Sequence, residues 1–374
     1  MGDLPSDTNG GGRRRGERIV DVEGLGELRL RDFRPRPTVR LAEHEVPRSS
    51  TPAVDAHNHL GRWHDGRWRV ADVPALVDLM DAANVATIVN LDGCWVDELE
   101  ANLDRYDRAF PGRFVSYARV DWRETTTPGW PDRIAASLAD SAARGATGVK
   151  LWKDIGLRLR DERGELFFLD DPRLEPMWAA IAEAGLPVTV HTADPAAFFE
   201  PLDERNERLE ELLRHPDWRF MGPGFPPLAR LLDALEGAVA ANPGVTIVGA
   251  HVGCIAEDLD WVDRMLTAYP NFAVDTAARI AELGRQPRRT RRLIEDHPGR
   301  VVLGTDVSPP TAEDYAIYFR FLETADEYFP YDAEDPPGNG RWRISALDLS
   351  PELAAGVAGD NARALIPALH HRDT

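Results

Sequence analysis

The chain has 374 residues, 44 of them Lys or Arg and 63 Asp or Glu, for a net charge of −19 at neutral pH. Such an acidic excess repels nucleic acid and anionic membrane surfaces, while 43% apolar residues suffice for a globular core. Two cysteines, Cys94 and Cys254, are too few for a disulfide scaffold and form no CxxC pair, and no apolar run approaches the ~18 residues of a membrane span.

The first 50 residues read as a flexible tail and linker. Gly2–Gly16 is rich in Gly and Arg without a hydrophobic stretch, so neither a signal peptide nor an anchor is expected, and the protein reads as cytoplasmic. Gly10–Arg15 (GGGRRR) is expected to be a disordered tail. Arg18–Leu30 alternates weakly and suggests a small hairpin. Arg34–Ser50, with three prolines, reads as a surface linker.

One domain is expected over 51–374. Short β-branched runs there alternate with helical patterns. The predicted strands are Ala53–Ala56, Ala86–Leu91, Phe114–Arg119, Gly148–Leu151, Pro187–His191, Thr246–Ala250, Phe272–Asp275 and Val301–Gly304. The helices between them are Val73–Ala83, Glu98–Ala109, Pro131–Arg144, Leu174–Ala184, Leu228–Ala241, Ala256–Ala268, Pro287–His297 and Ala312–Thr324. Strands separated by helices pair in parallel, because a parallel neighbour needs a crossover. Eight such units predict an α/β fold, a distorted (β/α)8 TIM barrel. The rival, a doubly wound sheet, usually stops near six strands and wants a Gly-rich first turn, where this chain has HNHLG. Two long loops, Trp152–Pro172 and Thr192–Pro227, follow strands four and five and so belong to the C-terminal face, where barrel active sites lie. Leu349–Leu369 reads as a closing helix.

His57 and His59 are two apart on the first strand and point to one side. At a strand end both imidazoles can reach one cation, although two ordinary histidines would read the same. His191, His251 and Asp306 each close a later strand on the same predicted face. Ordinary placement of all these groups requires four coincidences, so a metal site is the stronger reading.

The segments VDAHNHLG, PVTVHTADP, IVGAHVGC, PNFAVDTAAR and VVLGTD resemble the amidohydrolase superfamily, in its amidohydrolase-related branch of hydrolases and non-oxidative decarboxylases. The likeness runs from about Ala53 to Asp306, and more weakly through Asn361. It implies that His57, His59, His191 and Asp306 bind one divalent metal, zinc foremost with manganese or iron as alternatives. It implies that His251 stands beside the metal as an acid/base or polarising group. Some superfamily members carboxylate a strand-four lysine to bridge two metals. This sequence is closer to the one-metal branch, so Lys150 equally pairs with Asp275 or binds an anionic substrate.

On this reading the protein is a metal-dependent hydrolase of a C–N or C–O bond in a small substrate. Metal-activated water would attack, Asp306 would take and return a proton, and His251, either protonated or as a neutral N–H donor, would stabilise the oxyanion. The alternative is decarboxylation of an aromatic or unsaturated acid. A barrel that only binds is disfavoured, since all five groups are present. Arg119, Arg279, Lys150 and Trp152 are candidate substrate contacts; ion pairing of the arginines with acidic neighbours reads as well. Trp63, Trp68, Trp95, Phe198 and Phe199 either line a pocket or pack long loops. His64 is near the site without a motif role. His44, His215, His297, His370 and His371 read as solvated, Cys254 as a small buried residue, and Arg285–Arg292 as a helix face pairing with acids. The expected partner is a small molecule, with no nucleic acid or membrane, and a homodimer is a reasonable assembly.

Overall fold

The computed structural model describes residues 25–123 and 125–370. The chain divides into two compact units, 1–40 and 41–374. In the first, 3-10 turns occupy Leu25–Glu27 and Leu30–Asp32, where the sequence suggested part of a hairpin. Leu25 and Leu28 are exposed there, and a two-stranded ribbon with no apolar face to cover does not hold. The rest of that hairpin, the Gly10–Arg15 tail and His371 lie outside the described residues.

In the second unit the β-branched runs become strands that pair in parallel with their neighbours. β1 (Ala53–Asn58), β2 (Val85–Asn90) and β3 (Phe114–Ser116) pair in that order. β4 (Ala118–Arg119), β5 (Val149–Leu151), β6 (Val188–Val190), β7 (Ile247–Gly249), β8 (Phe272–Asp275) and β9 (Val301–Val302) continue in chain order. β3 and β4 are one strand broken at Tyr117: the Tyr117 amide donates to Asn90 at 2.9 Å, and the next amide, of Ala118, donates to Gly148 at 2.8 Å. At the other edge the Ala56 amide donates to the Leu303 carbonyl at 2.8 Å and the Asp306 amide to the His57 carbonyl at 2.9 Å. The chain beyond β9 thereby joins β1. The result is the expected eight-stranded α/β barrel, its strands buried on both faces as parallel strands are.

The helices stand where their patterns and caps place them. Val73–Ala83 starts at Asp72, whose carboxylate accepts from the Ala75 amide at 3.0 Å, and ends at Asn84 in the left-handed region. Ala312–Glu323 starts with a reciprocal capping box between Thr311 and Asp314. The predicted Glu98–Ala109 helix changes to π-helical winding over Leu103–Arg108, and the closing segment does the same over Gly356–Asp360. Among the described residues no helix is long and apolar enough to cross a membrane.

Residues 41–50 belong to this unit: the His44 imidazole meets Asp326 at 2.5 Å, and Ser49 donates to Glu323 at 3.2 Å. Over the barrel, the two long loops share an apolar cluster of Leu157, Ala193, Phe198, Leu212, Phe220, Leu231 and Cys254. Phe199 packs on Phe220 and Trp68 on Tyr106, so those aromatics serve packing. His297 is not solvated as expected: it is mostly buried and reaches Asp263 at 2.6 Å. The basic run does pair with acids, Arg285 with Glu207, Arg289 with Asp260 and Asp263, and Arg291 with Asp348.

Candidate metal centre

β1 delivers His57 from within the strand and His59 just past its end, both buried. Gly304 lets the opposing chain pass close, since a Cβ there would lie 2.7 Å from the His57 Cβ. His191 follows β6 and is also buried. His251 follows β7 in a left-handed turn, with φ +57° at His251 and +59° at Val252. Such backbone costs roughly 1–3 kcal/mol per residue and persists where the surroundings fix it. Here the His251 amide donates to Asp275 at 2.7 Å. Asp306, after β9, is likewise left-handed (φ +59°), held by its amide bond to His57.

Three of the four rings are pinned at Nδ1. His57 Nδ1 meets the Asp275 carboxylate at 2.7 Å, His59 Nδ1 meets Asp92 at 3.0 Å, and His251 Nδ1 donates to the Ala277 carbonyl at 2.9 Å. Each ring therefore presents Nε2 inward. The Nε2 atoms of His59, His57 and His251 lie 3.3, 3.8 and 3.9 Å from the Asp306 carboxylate. The ring of His251 is 4.8 Å from that of His57 and 4.3 Å from that of His191, so the two outer imidazoles stand within a nanometre. The ligand atoms of His57, His251 and Asp306 all lie within 4.8 Å of one another, a candidate metal site among the described residues.

This donor set fits a cation. Outer carboxylates that fix the tautomer and aim Nε2 are the usual second layer of a histidine metal site. His191 Nε2 is buried without a well-aligned hydrogen-bond partner, with Asp194 at 3.4 Å, and a buried nitrogen left in this state suits a ligand. Burial pushes His57 and His251 well below the ordinary imidazole range and His191 down to about 3, leaving them neutral as metal ligands must be. Burial likewise raises the Asp275 carboxyl to about 6 and the Asp306 carboxyl above its ordinary value. Of the two forms expected for His251, the neutral N–H donor falls away. With Nδ1 donated to a carbonyl, neutral His251 offers only an acceptor at Nε2, so it cannot stabilise an oxyanion without a second proton.

Lys150 is the middle residue of β5, fully buried beneath this cluster, with Nζ 3.3 Å from His57 Nε2. Burial lowers its ammonium to about 8, against the attraction of Asp306 and Asp275. Lys150 is not on the wall of the cavity above, so direct substrate contact is not its place. That cavity, about 730 Å³, has Asp306, His59, His191 and His251 at its floor. Its wall carries Arg119, Arg279, Trp152, His64 and Phe198, all singled out in the sequence, but not Trp63, Trp68, Trp95 or Phe199. The wall also has Arg69, Lys153, Asp92 and Asp194, which periodicity did not mark. Lys153 pairs with Asp194, and Arg69 and Arg119 approach Asp92 at 3.5 and 3.9 Å. Asp92 and Asp275 were legible in one respect: one follows β2 and the other ends β8, at the strand ends that carry the histidines. Cys254 is buried, its thiol pushed up to about 11 by burial, as expected of an inert residue.

The sequence profile of a family described as Amidohydrolase matches residues 54–368. Solved structures of similar fold include an uncharacterised TIM-barrel protein from Bordetella bronchiseptica (13% identity, TM-score 0.52, covering 85% of this chain and 99% of that one). Others are 2,6-dihydroxybenzoate decarboxylase from Rhizobium (16% identity, TM-score 0.52, 85% and 99%) and 5-carboxyvanillate decarboxylase from Sphingomonas paucimobilis (15%, 0.51, 85% and 99%). At these identities the likeness is one of fold. No curated protein matches the chain.

Proposed function

The chain belongs to the amidohydrolase family, and from that premise we propose that this enzyme is a metal-dependent hydrolase acting on a C–N or C–O bond of a small anionic substrate. The observation that carries the reading is the convergence of inward Nε2 atoms on Asp306 at the floor of a cavity whose wall is rich in guanidinium groups. His57, His59, His191 and Asp306 would hold the cation, zinc foremost with manganese or iron accepted by the same donors. When bound, such a cation supplies Lewis acidity toward a substrate oxygen and acidifies water.

The chain's own groups do the rest. Asp306 is the one floor carboxylate open to the cavity, with a side chain 25% exposed, so it can take a proton at Oδ1 or Oδ2 and hand it to a leaving group. His251 Nε2 faces the same carboxylate at 3.9 Å and accepts a proton passed to it. Asp92 and Asp275 keep the rings of His59 and His57 oriented. The arginines and Lys153 orient an anionic substrate and draw it in.

A second reading, decarboxylation of a planar acid, is favoured by Trp152. Its ring lies 4.9 Å from that of His59 and 6.2 Å from that of His191, with the Arg119 guanidinium 4.8 Å from its centre. That is a flat platform next to a carboxylate-binding group. Hydrolysis and CO2 release assayed on one panel of amides, lactones and aryl carboxylates separate the readings. Chelation should abolish turnover and a divalent cation restore it. Asp306→Asn should reduce turnover by at least about a hundredfold. Full activity after exhaustive chelation, or in Asp306→Asn, overturns the proposal. The same proposal places the protein in the cytoplasm, as a homodimer, without nucleic-acid or membrane partners; fractionation and light scattering test those points.

A further inference from the structure

Asp306 borders two cavities. The larger is the mouth described above. The smaller, about 290 Å³, adjoins it and is walled by residues 278–281 after β8, residues 305–307 after β9, the Ala312–Glu323 helix and residues 331–339. Ala278, Asp306 and Asn339 stand on both walls, so Asp306 is reached from either side. At the outer end of the side cavity, Asp314 and Asp332 are half-buried next to the exposed Glu313 and Ala333, so the cavity meets solvent there.

The two cavities differ in charge. The mouth carries Arg62, Arg69, Arg119, Lys153, Arg158 and Arg279 interleaved with acids. On the side wall every charged group of the described residues is an acid, namely Asp306, Asp314 and Asp332. The two outer carboxylates are fixed in place by uncharged donors. Asp314 accepts from the Thr311 amide at 2.8 Å and its hydroxyl at 2.6 Å, and Asp332 accepts from the amides of Glu334 at 2.9 Å and Gly338 at 2.8 Å. Their charge is therefore positioned but not neutralised. The aromatic walls are fixed too. The Tyr318 hydroxyl donates to the Thr305 carbonyl at 3.0 Å and accepts from the Ala278 amide at 3.1 Å, and the Tyr331 hydroxyl donates to the Gly340 carbonyl at 2.8 Å.

A cleft lined by one sign of charge concentrates ions of the opposite sign and speeds their entry. Here the innermost carboxylate is itself a candidate metal ligand. The side cavity attracts a dication and repels an anionic substrate, whereas the cations of the mouth draw that substrate in.

We propose that the divalent cation reaches and leaves its site through the side cavity, past Asp314 and Asp332, while the substrate uses the mouth. The inference rests on the reading of the floor as a metal centre, but not on which bond is broken. It lets the cation exchange while the mouth is filled.

Zinc uptake by the chelated full-length protein, and zinc release into excess chelator, are followed by stopped flow with a fluorescent zinc indicator. Ile317 is half-buried on the side wall, and Ile317→Trp narrows the passage. It should slow uptake and release each by at least about fivefold and leave the equilibrium affinity within about twofold, because a barrier on a path changes both rates alike. Asp314→Asn keeps an acceptor for Thr311 but removes a charge; it should slow uptake about two- to fivefold at low ionic strength, with the deficit lost at high salt. Native rates in both variants overturn the proposal. Slowed uptake with unchanged release in Ile317→Trp also overturns it, since that pattern marks a damaged site and not a blocked path. If Ile317→Trp fails to fold, Asp314→Asn and its salt dependence decide. A native protein that takes up no zinc sinks the metal-centre reading and this inference together, whereas native rates in the variants sink this inference alone.

Discussion

Replacing Asp275 with asparagine probes the layer that aims the histidines. Asp275 Oδ1 accepts from the amides of His251 at 2.7 Å and Ala277 at 3.1 Å, while Oδ2 meets His57 Nδ1 at 2.7 Å. Asparagine keeps one oxygen. If that oxygen serves the two amides, its NH2 group faces Nδ1 and His57 must move its proton to Nε2, the atom aimed at Asp306. If it serves His57, two buried amides lose their acceptor. Either outcome costs about 1–3 kcal/mol of stability, and at about 2–4 °C per kcal/mol for a chain of this size melting falls by several degrees. Loss of an outer carboxylate partner lowers metal affinity by about 10–100-fold, equivalent to about 1.4–2.7 kcal/mol. Competition with a fluorescent zinc chelator measures the affinity, and melting with and without cation separates it from folding. Cation affinity within twofold of the native protein, with the melting temperature unmoved, would refute the claim that Asp275 orients His57.

Three further outcomes are expected. In chelated protein, stability falls as pH drops from about 6.5 toward 3, because burial holds His191 neutral down to about 3 while the unfolded chain takes up a proton near 6.5; His57 and His251 act with the same sign, and the three imidazoles outweigh the raised Asp275 and Asp306 carboxyls, which act with the opposite sign below about 6. Urea titrations giving equal stability at pH 7 and pH 4.5 would contradict that. Gly148→Ala should cost about 1–3 kcal/mol in urea unfolding, since a Cβ there would lie 2.4–2.5 Å from ring carbons of the buried Tyr117; a neutral effect would mean that the ring has room to move. Arg208→Met should lower stability by about 3–5 kcal/mol, because it strands the buried Glu211 and Glu282 carboxylates; melting unchanged within 2 °C would show those acids to be neutral in the folded protein.

Much of this molecule is written in its periodicity. All eight predicted strands are present within a few residues, because a parallel strand buried on both faces is a short β-branched run that little else imitates. The histidines and Asp306 were legible because they break such runs at one end. Asp92 and Asp275 break them too, but an acid after a strand is common, and only contact with an imidazole gives it meaning. The left-handed turn at His251 leaves no mark in composition, so the acceptor role of its Nε2 had to come from the Ala277 carbonyl. The long loops defeated periodicity altogether: of the three aromatics singled out there, Trp152 and Phe198 reach the cavity and Phe199 packs on Phe220 instead.

The central claim is tested most directly by anomalous diffraction at the zinc edge from crystals grown with zinc. One strong peak is predicted, about 2.0–2.2 Å from Nε2 of His57, His59 and His191 and from an Asp306 oxygen. Absence of a peak among these groups, at full occupancy elsewhere on the protein, would contradict it.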